Sequence, residues 1–183
     1  MNLLIEKAPD FITVGGEKIK INTSFNIWVE FFIACNSDNE GKLAEALCKV
    51  FVDGIPNTDI TKTISACLDW LFPKDNTNKK AHSKAYTNSK AFDFDMDGNL
   101  IYCELWEYFP HLMERGISFH EGMELIALLM SNEKTMLHHR AFARCGDFSK
   151  MDKEQKKYWR QERTKWALPT HKNEIDDVFS KAF

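Results

Sequence analysis

Apolar and polar residues alternate through "FITVGGEKIKI", Phe11 to Ile21, on both sides of Gly15-Gly16. A period of two around a glycine pair predicts a β-hairpin whose tight turn needs positive φ. Such a hairpin is marginal alone and must pack on another element. The period then lengthens to three and four. Thr23 or Ser24 caps a predicted helix carrying Phe25, Trp28, Phe31 and Phe32 on one side, and Asn36 to Asn39 break it. A second helix runs from about Glu40 to Val52 with Leu43, Leu47, Val50 and Phe51 inward. After the loop "DGIPN", a third spans about Asp59 to Phe72 on the stripe Ile60, Ile64, Leu68 and Leu71, and Pro73 stops it.

Lys74 to Lys90 is rich in Asn, Thr, Ser and Lys and reads as an exposed, flexible linker. It separates an N-terminal piece, residues 1–73, from a C-terminal helical piece, residues 91–183, within what reads as one domain overall. A fourth helix begins among Asp95 to Asp97 and carries Leu100, Ile101, Leu105 and Tyr108. Pro110 bends it and Gly116 ends it. Ser118 with Glu121 forms a capping box for a fifth, which buries Met123, Ile126, Ala127 and Met130. A sixth covers about Glu133 to Arg144 and ends before Gly146. Asp152 caps a seventh, closed by Pro169, and a short amphipathic helix is expected from Glu174 to Phe183. The fold class is therefore mainly α, a helical domain with a small N-terminal β-hairpin.

Composition adds limits. With 44% hydrophobic and 13% aromatic residues the chain can build a real core, so general disorder is excluded. A formal charge of −3 gives no strong field for nucleic acid or acidic membrane. The chain has no apolar run of about 18 residues, and its start lacks a basic region, so neither a membrane span nor a signal peptide is expected. The odd, widely spaced cysteines Cys35, Cys48, Cys67, Cys103 and Cys145 read as reduced, buried small hydrophobes of a cytosol-like compartment.

One stretch carries candidate metal chemistry. "DFDMDGNLIYCE" places Asp93, Asp95, Asp97 and Glu104 at positions one, three, five and twelve of a calcium loop, with Gly98 at six. Against this, the preceding segment is polar, no second loop exists, and position nine holds Ile101. Three aspartates at a helix start explain the same letters, each favoured by roughly 0.3–1 kcal/mol at the positive end of the helix dipole. The helix start is the expectation. Calcium at Asp93, Asp95, Asp97 and Glu104 is the alternative, and otherwise no metal or cofactor is expected.

"HEGME", His120 to Glu124, has the first half of a zinc-protease helix, but Glu124 stands where the second histidine is needed. Adjacent His138 and His139 point in different directions on a helix. No nucleophile triad, Walker loop or dinucleotide fingerprint occurs, so the sequence carries no enzyme signature. Lys150 to Trp166 is basic with interleaved aromatics, a pattern that nucleic acid could use, but Asp152, Glu154 and Glu162 dilute it. A solvated helix with partly packed Tyr158, Trp159 and Trp166 is the expectation.

Three blocks together resemble the Gp-fifteen family of tailed-bacteriophage proteins, regarded as tail-assembly chaperones. They are "APDFITVGGEKIKINTSFNIWVEF", "AFDFDMDGNLIYCELWEYF", and the helix from His120 followed by "HHRAFARCGDFSKMDKEQKKYWRQERTKWALP". The chain departs from the family at Asn26, where arginine is usual, at Gly98, and at Glu121-Gly122, where a bulky aromatic pair is common. The resemblance implies a non-enzymatic chaperone in the host cytoplasm, during infection or from a prophage, absent from the mature virion. It would transiently hold the tape-measure protein, with tail-tube subunits as a further partner. A homo-oligomer stays open. Aromatic and methionine contacts to such a client are expected from Trp28, Phe32, Trp106, Met113, Trp159, Trp166 and Phe179. The rival classes are a calcium-responsive binder and a nucleic-acid-binding accessory protein.

Overall fold

A computed structural model describes residues 8–37, 39–73 and 90–169. The fold is mainly α with one two-stranded antiparallel sheet at its N-terminal end. The Lys74–Lys90 stretch, apart from Lys90, and the tail helix expected at Glu174–Phe183 lie outside the described residues. Among the described residues no helix is long and apolar enough to cross a membrane. The chain divides into two compact units. Of the described residues, one unit takes in those up to Pro73 together with Glu114–Glu124, and the other residues 90–113 and 125–169.

In the first unit, β1 (Phe11–Val14) pairs with β2 (Glu17–Lys20), with Ile12 opposite Ile19 and Val14 opposite Glu17. Gly15 and Gly16 take φ of 60° and 92°, as a two-residue turn of this type demands. Ile12 and Val14 are buried and β1 packs on α3, which supplies the support the hairpin needs. Just past the hairpin, Ile21 bridges to Phe51 at the end of α2.

Helix α1 (Phe25–Cys35) turns Trp28, Phe31 and Phe32 fully inward. Ser24 stands at its N-cap without a side-chain cap. The Phe25 N–H is instead satisfied by the Ile117 carbonyl at 2.9 Å. Helix α2 (Glu40–Val50) starts on an Asn39 cap and ends at Val50, so Val52 is exposed rather than helical. Helix α3 (Ile60–Leu71) presents Thr63, Cys67, Trp70 and Leu71 to the core, whereas Ile60 is 50% exposed and Ile64 and Leu68 are half-buried. The expected stripe is thus rotated. Trp70 sets the rotation: its ring stacks on Trp28 at 4.2 Å and its indole N–H reaches the Pro9 carbonyl at 2.8 Å. Thr63 tolerates the interior because its hydroxyl bonds to the Asp59 carbonyl and the Thr58 hydroxyl.

In the second unit, α4 (Phe94–Tyr108) buries Phe94, Ile101 and Leu105, while Leu100 is half-buried and Tyr108 exposed. Pro110 opens α5 (Pro110–Arg115) rather than bending α4, and Gly116 follows with φ of 79°. Helix α6 (Phe119–Ser131) starts within the first unit on the expected capping box: Glu121 accepts from the Ser118 N–H at 2.8 Å and Ser118 Oγ accepts from the Glu121 N–H at 3.3 Å. Leu125, Ile126 and Leu129 are buried in the second unit, Ala127 and Met130 only half so. Helix α7 (Met136–Cys145) begins later than expected because buried Thr135 caps it, accepting from the His138 N–H at 3.1 Å. Helix α8 (Lys153–Lys165) carries a full capping box between Asp152 and Gln155.

Candidate functional site

The acidic stretch forms no loop. Residues 94–108 are continuous helix, Gly98 included, so the backbone cannot wrap its carboxylates around an ion. Asp93 caps α4, with one carboxylate oxygen accepting from the Asp95 and Met96 N–H groups at 2.8 and 3.0 Å and the other from Lys90 at 2.8 Å. Burial pushes its carboxyl up, but these bonds outweigh it and hold the carboxyl below the usual range. Asp95 points outward and is exposed. Asp97 is fully buried and faces α7: Arg144 donates to both of its oxygens and Arg140 donates at 2.8 Å. Burial again acts upward, and the two guanidinium groups overcome it and keep Asp97 ionised below the ordinary carboxylate range.

Glu104 has a third task. Its Oε1 accepts from the Met136 N–H at 2.6 Å and its carboxylate also takes the Leu137 N–H, so it closes the N-terminus of α7 from a different helix. Burial raises its pKa despite those bonds. The four candidate calcium ligands therefore serve a cap, solvent, an arginine pair and a neighbouring helix end. Among the described residues, no group of three or more His, Cys, Asp or Glu gathers to hold a metal. Arg140, Arg144 and Thr135, which organise this region, carry no local sequence signal. Arg140 and Arg144, one turn apart, share a face of α7, and Thr135 stands at its N-cap.

The three histidines on α6 and α7 are likewise committed. His120 bonds through Nε2 to the Trp70 carbonyl at 3.0 Å, Glu121 belongs to the capping box, and Glu124 is exposed. His138 reaches the Met130 carbonyl through Nδ1 at 2.7 Å, while His139 bonds to Glu162 at 2.8 Å, in different directions as expected.

The expected partner-binding side chains separate into three groups. Trp28 and Phe32 are core, 0% and 2% exposed, so they cannot meet a client without unfolding. Trp159 and Trp166 are half-buried and fasten α8: Trp159 lies against Phe142 and Phe148, and Arg140 stacks over Trp166 at 4.1 Å. Trp106 is exposed and Met113 half-buried, and Phe179 lies outside the described residues. Sequence reasoning missed Tyr102. It stands one turn before Trp106, is 59% exposed, and meets that indole edge-on with ring centres 6.3 Å apart. An i, i+4 count along α4 would have found the pair.

Helix α8 is basic on its outer side. Its inner side is tied to the C-terminal end of α7, where Arg163 donates to the Ala143 and Gly146 carbonyls at 2.8 and 2.6 Å and stacks over Phe148. The arrangement offers surfaces for contact: an exposed aromatic pair on α4 and a row of cations on α8. No family model, curated protein or solved structure matches this chain.

Proposed function

We propose that this protein is a non-enzymatic tail-assembly chaperone that transiently binds the tape-measure protein of a tailed phage, with tail-tube subunits as a second partner. The observation that carries the reading is the Tyr102–Trp106 pair, because two large aromatic rings left on the outside of a helix are contact material rather than core. The pair lies within the second block that resembles the phage family. The same helix keeps Ile101 and Leu105 inward, so its outer face is available without disturbing the fold. Aromatic anchors of this kind suit a helical client held until tube subunits displace it.

Co-expression with the product of a long, helix-rich neighbouring reading frame tests the proposal. The expected result is a soluble complex that a Tyr102→Ala/Trp106→Ala variant fails to retain. A client that stays insoluble, or is captured equally by wild type and variant, overturns it.

A further inference from the structure

Lys153, Lys156, Lys157 and Arg160 repeat at the three- and four-residue step of an α-helix and, with Thr164, occupy roughly 100° of the arc of α8 over about 16 Å. No carboxylate falls within that arc: Glu154 lies beyond it, and Glu162 is held on the far side by His139 and Trp166. None of the four cations forms an ion pair among the described residues. Among those residues, the open hollow of about 940 Å³ along this face is lined by these four, Gln161, Thr164 and Lys165.

We infer that this strip docks an acidic α-helix of a partner protein, with carboxylates at matching three- and four-residue spacing. Helix period against helix period lets each cation meet one carboxylate, the arrangement by which flanking charges choose partners in coiled coils. The strip is preorganised, since Arg163, Trp159 and Glu162 fix the opposite side of α8 to α7.

The same face suits nucleic acid less well. It carries no aromatic ring on which a base could stack: Tyr158 lies outside the arc, edge-on to Trp159. The helix N-terminus, where phosphate would bind, is already closed by Asp152 and Gln155. Helix α8 holds six basic against two acidic residues, net +4, so the other 170 residues carry −7 between them out of a total of −3. The cations are thus concentrated on α8, which suits an acidic partner of about the length of the strip.

The test uses the full chain and two synthetic helical peptides of equal composition, one with glutamates in register and one scrambled. Fluorescence anisotropy at about 50 mM salt should show binding of the registered peptide about tenfold tighter than the scrambled one, fading at about 300 mM. The variant Lys157→Glu/Arg160→Glu should lose about tenfold while its circular dichroism is unchanged. Equal affinity for both peptides, binding indifferent to the variant, or tighter binding of a DNA duplex or single strand at the same salt each overturns the inference. It rests on the chaperone reading only for the identity of the client. A client complex that forms and ignores the charge reversal sinks the strip alone; registered peptide binding with no client complex sinks that reading alone.

Discussion

Asp97 and Arg144 stand 47 positions apart and meet as a buried ion pair, their side chains 0% and 5% exposed. The pair joins the first turns of α4 to the last turn of α7. Arg144 extends the reach by donating to the Trp166 carbonyl at 2.7 Å and the Ala91 carbonyl at 3.1 Å, so one guanidinium gathers three segments. Removing either partner leaves the other charged and buried. Asp97→Ala is therefore expected to lower stability by about 3–5 kcal/mol in urea unfolding at neutral pH. The folded carboxyl lies below its usual 3.8, so its contribution is complete above that value and is lost as pH falls through the folded pKa. The acid limb of the stability curve should flatten in Asp97→Asn. An unchanged limb would show that the pair is not a source of acid lability.

Gly122 and Phe25 make the second close relationship, within the first unit. A Cβ on Gly122 would lie 2.5 Å from Cε2 of the Phe25 ring. Alanine is the better helix former by about 1 kcal/mol, but overpacking costs about 1–3 kcal/mol, so Gly122→Ala should destabilise the protein. In a Phe25→Ala background the sign should reverse, which a double-mutant cycle measures directly. Phe25, carried by α1, fills the space that the missing side chain of Gly122 leaves open.

The aromatics give a third prediction. Trp28 is enclosed, stacked on Trp70 with its indole N–H on the Asn22 carbonyl, so Trp28→Ala should cost about 3–5 kcal/mol. Tyr102→Ala and Trp106→Ala should each change stability by no more than about 0.5 kcal/mol while reducing capture of the proposed client. Thermal unfolding beside a pull-down separates the two roles. A large loss of stability in Trp106→Ala would return that ring to the core.

What was legible in the sequence follows from what is local. The hairpin needs only alternation around two glycines, and the starts of α6 and α8 need only Ser118–Glu121 and Asp152–Gln155. All are visible within a few residues. The rotation of α3 was not, because it depends on Trp70 finding Trp28 and Pro9 far along the chain, and because Thr63 passes for a surface residue until its hydroxyl finds Asp59 and Thr58. Asp97 was misjudged for the same reason. An aspartate in a first turn is explained by the helix dipole alone, and only the fold reveals Arg140 and Arg144 opposite it. Aromatic candidates chosen by type mixed core with surface, since Trp28 and Trp106 look alike until burial separates them.

His120 supplies a pH dependence on the acid side of its usual pKa. Its Nε2 bonds to the Trp70 carbonyl, and Nδ1 is buried without a hydrogen-bond partner among the described residues. Burial lowers its pKa below the usual 6.5, partly offset by the Trp70 bond, so the folded state favours the neutral ring. Between 6.5 and the folded value the unfolded chain binds the extra proton. Stability is thus complete above about 6.5 and falls as pH drops through that window. Chemical denaturation at closely spaced pH values should show the fall in wild type and a flatter profile in His120→Gln. Matching profiles would remove His120 as the cause.

The cysteines divide against the uniform burial that their sequence context suggested. Cys48 and Cys103 are exposed, because α2 turns Ala46, Leu47 and Val50 inward instead and α4 does the same with Ile101, Glu104 and Leu105. Cys67 and Cys145 are buried and Cys35 is half-buried, and burial pushes the Cys35 and Cys67 thiols up to about 12 and that of Cys145 upward too. Since the thiolate is the reactive form, the native protein should react quickly with a disulfide reagent at two thiols and slowly at three. Mass spectrometry should place the fast label on Cys48 and Cys103, and mild denaturant should release the other three together with loss of structure. Fast labelling of Cys67 in the folded protein would mean that α3 opens around Trp70 more readily than its stacking on Trp28 allows.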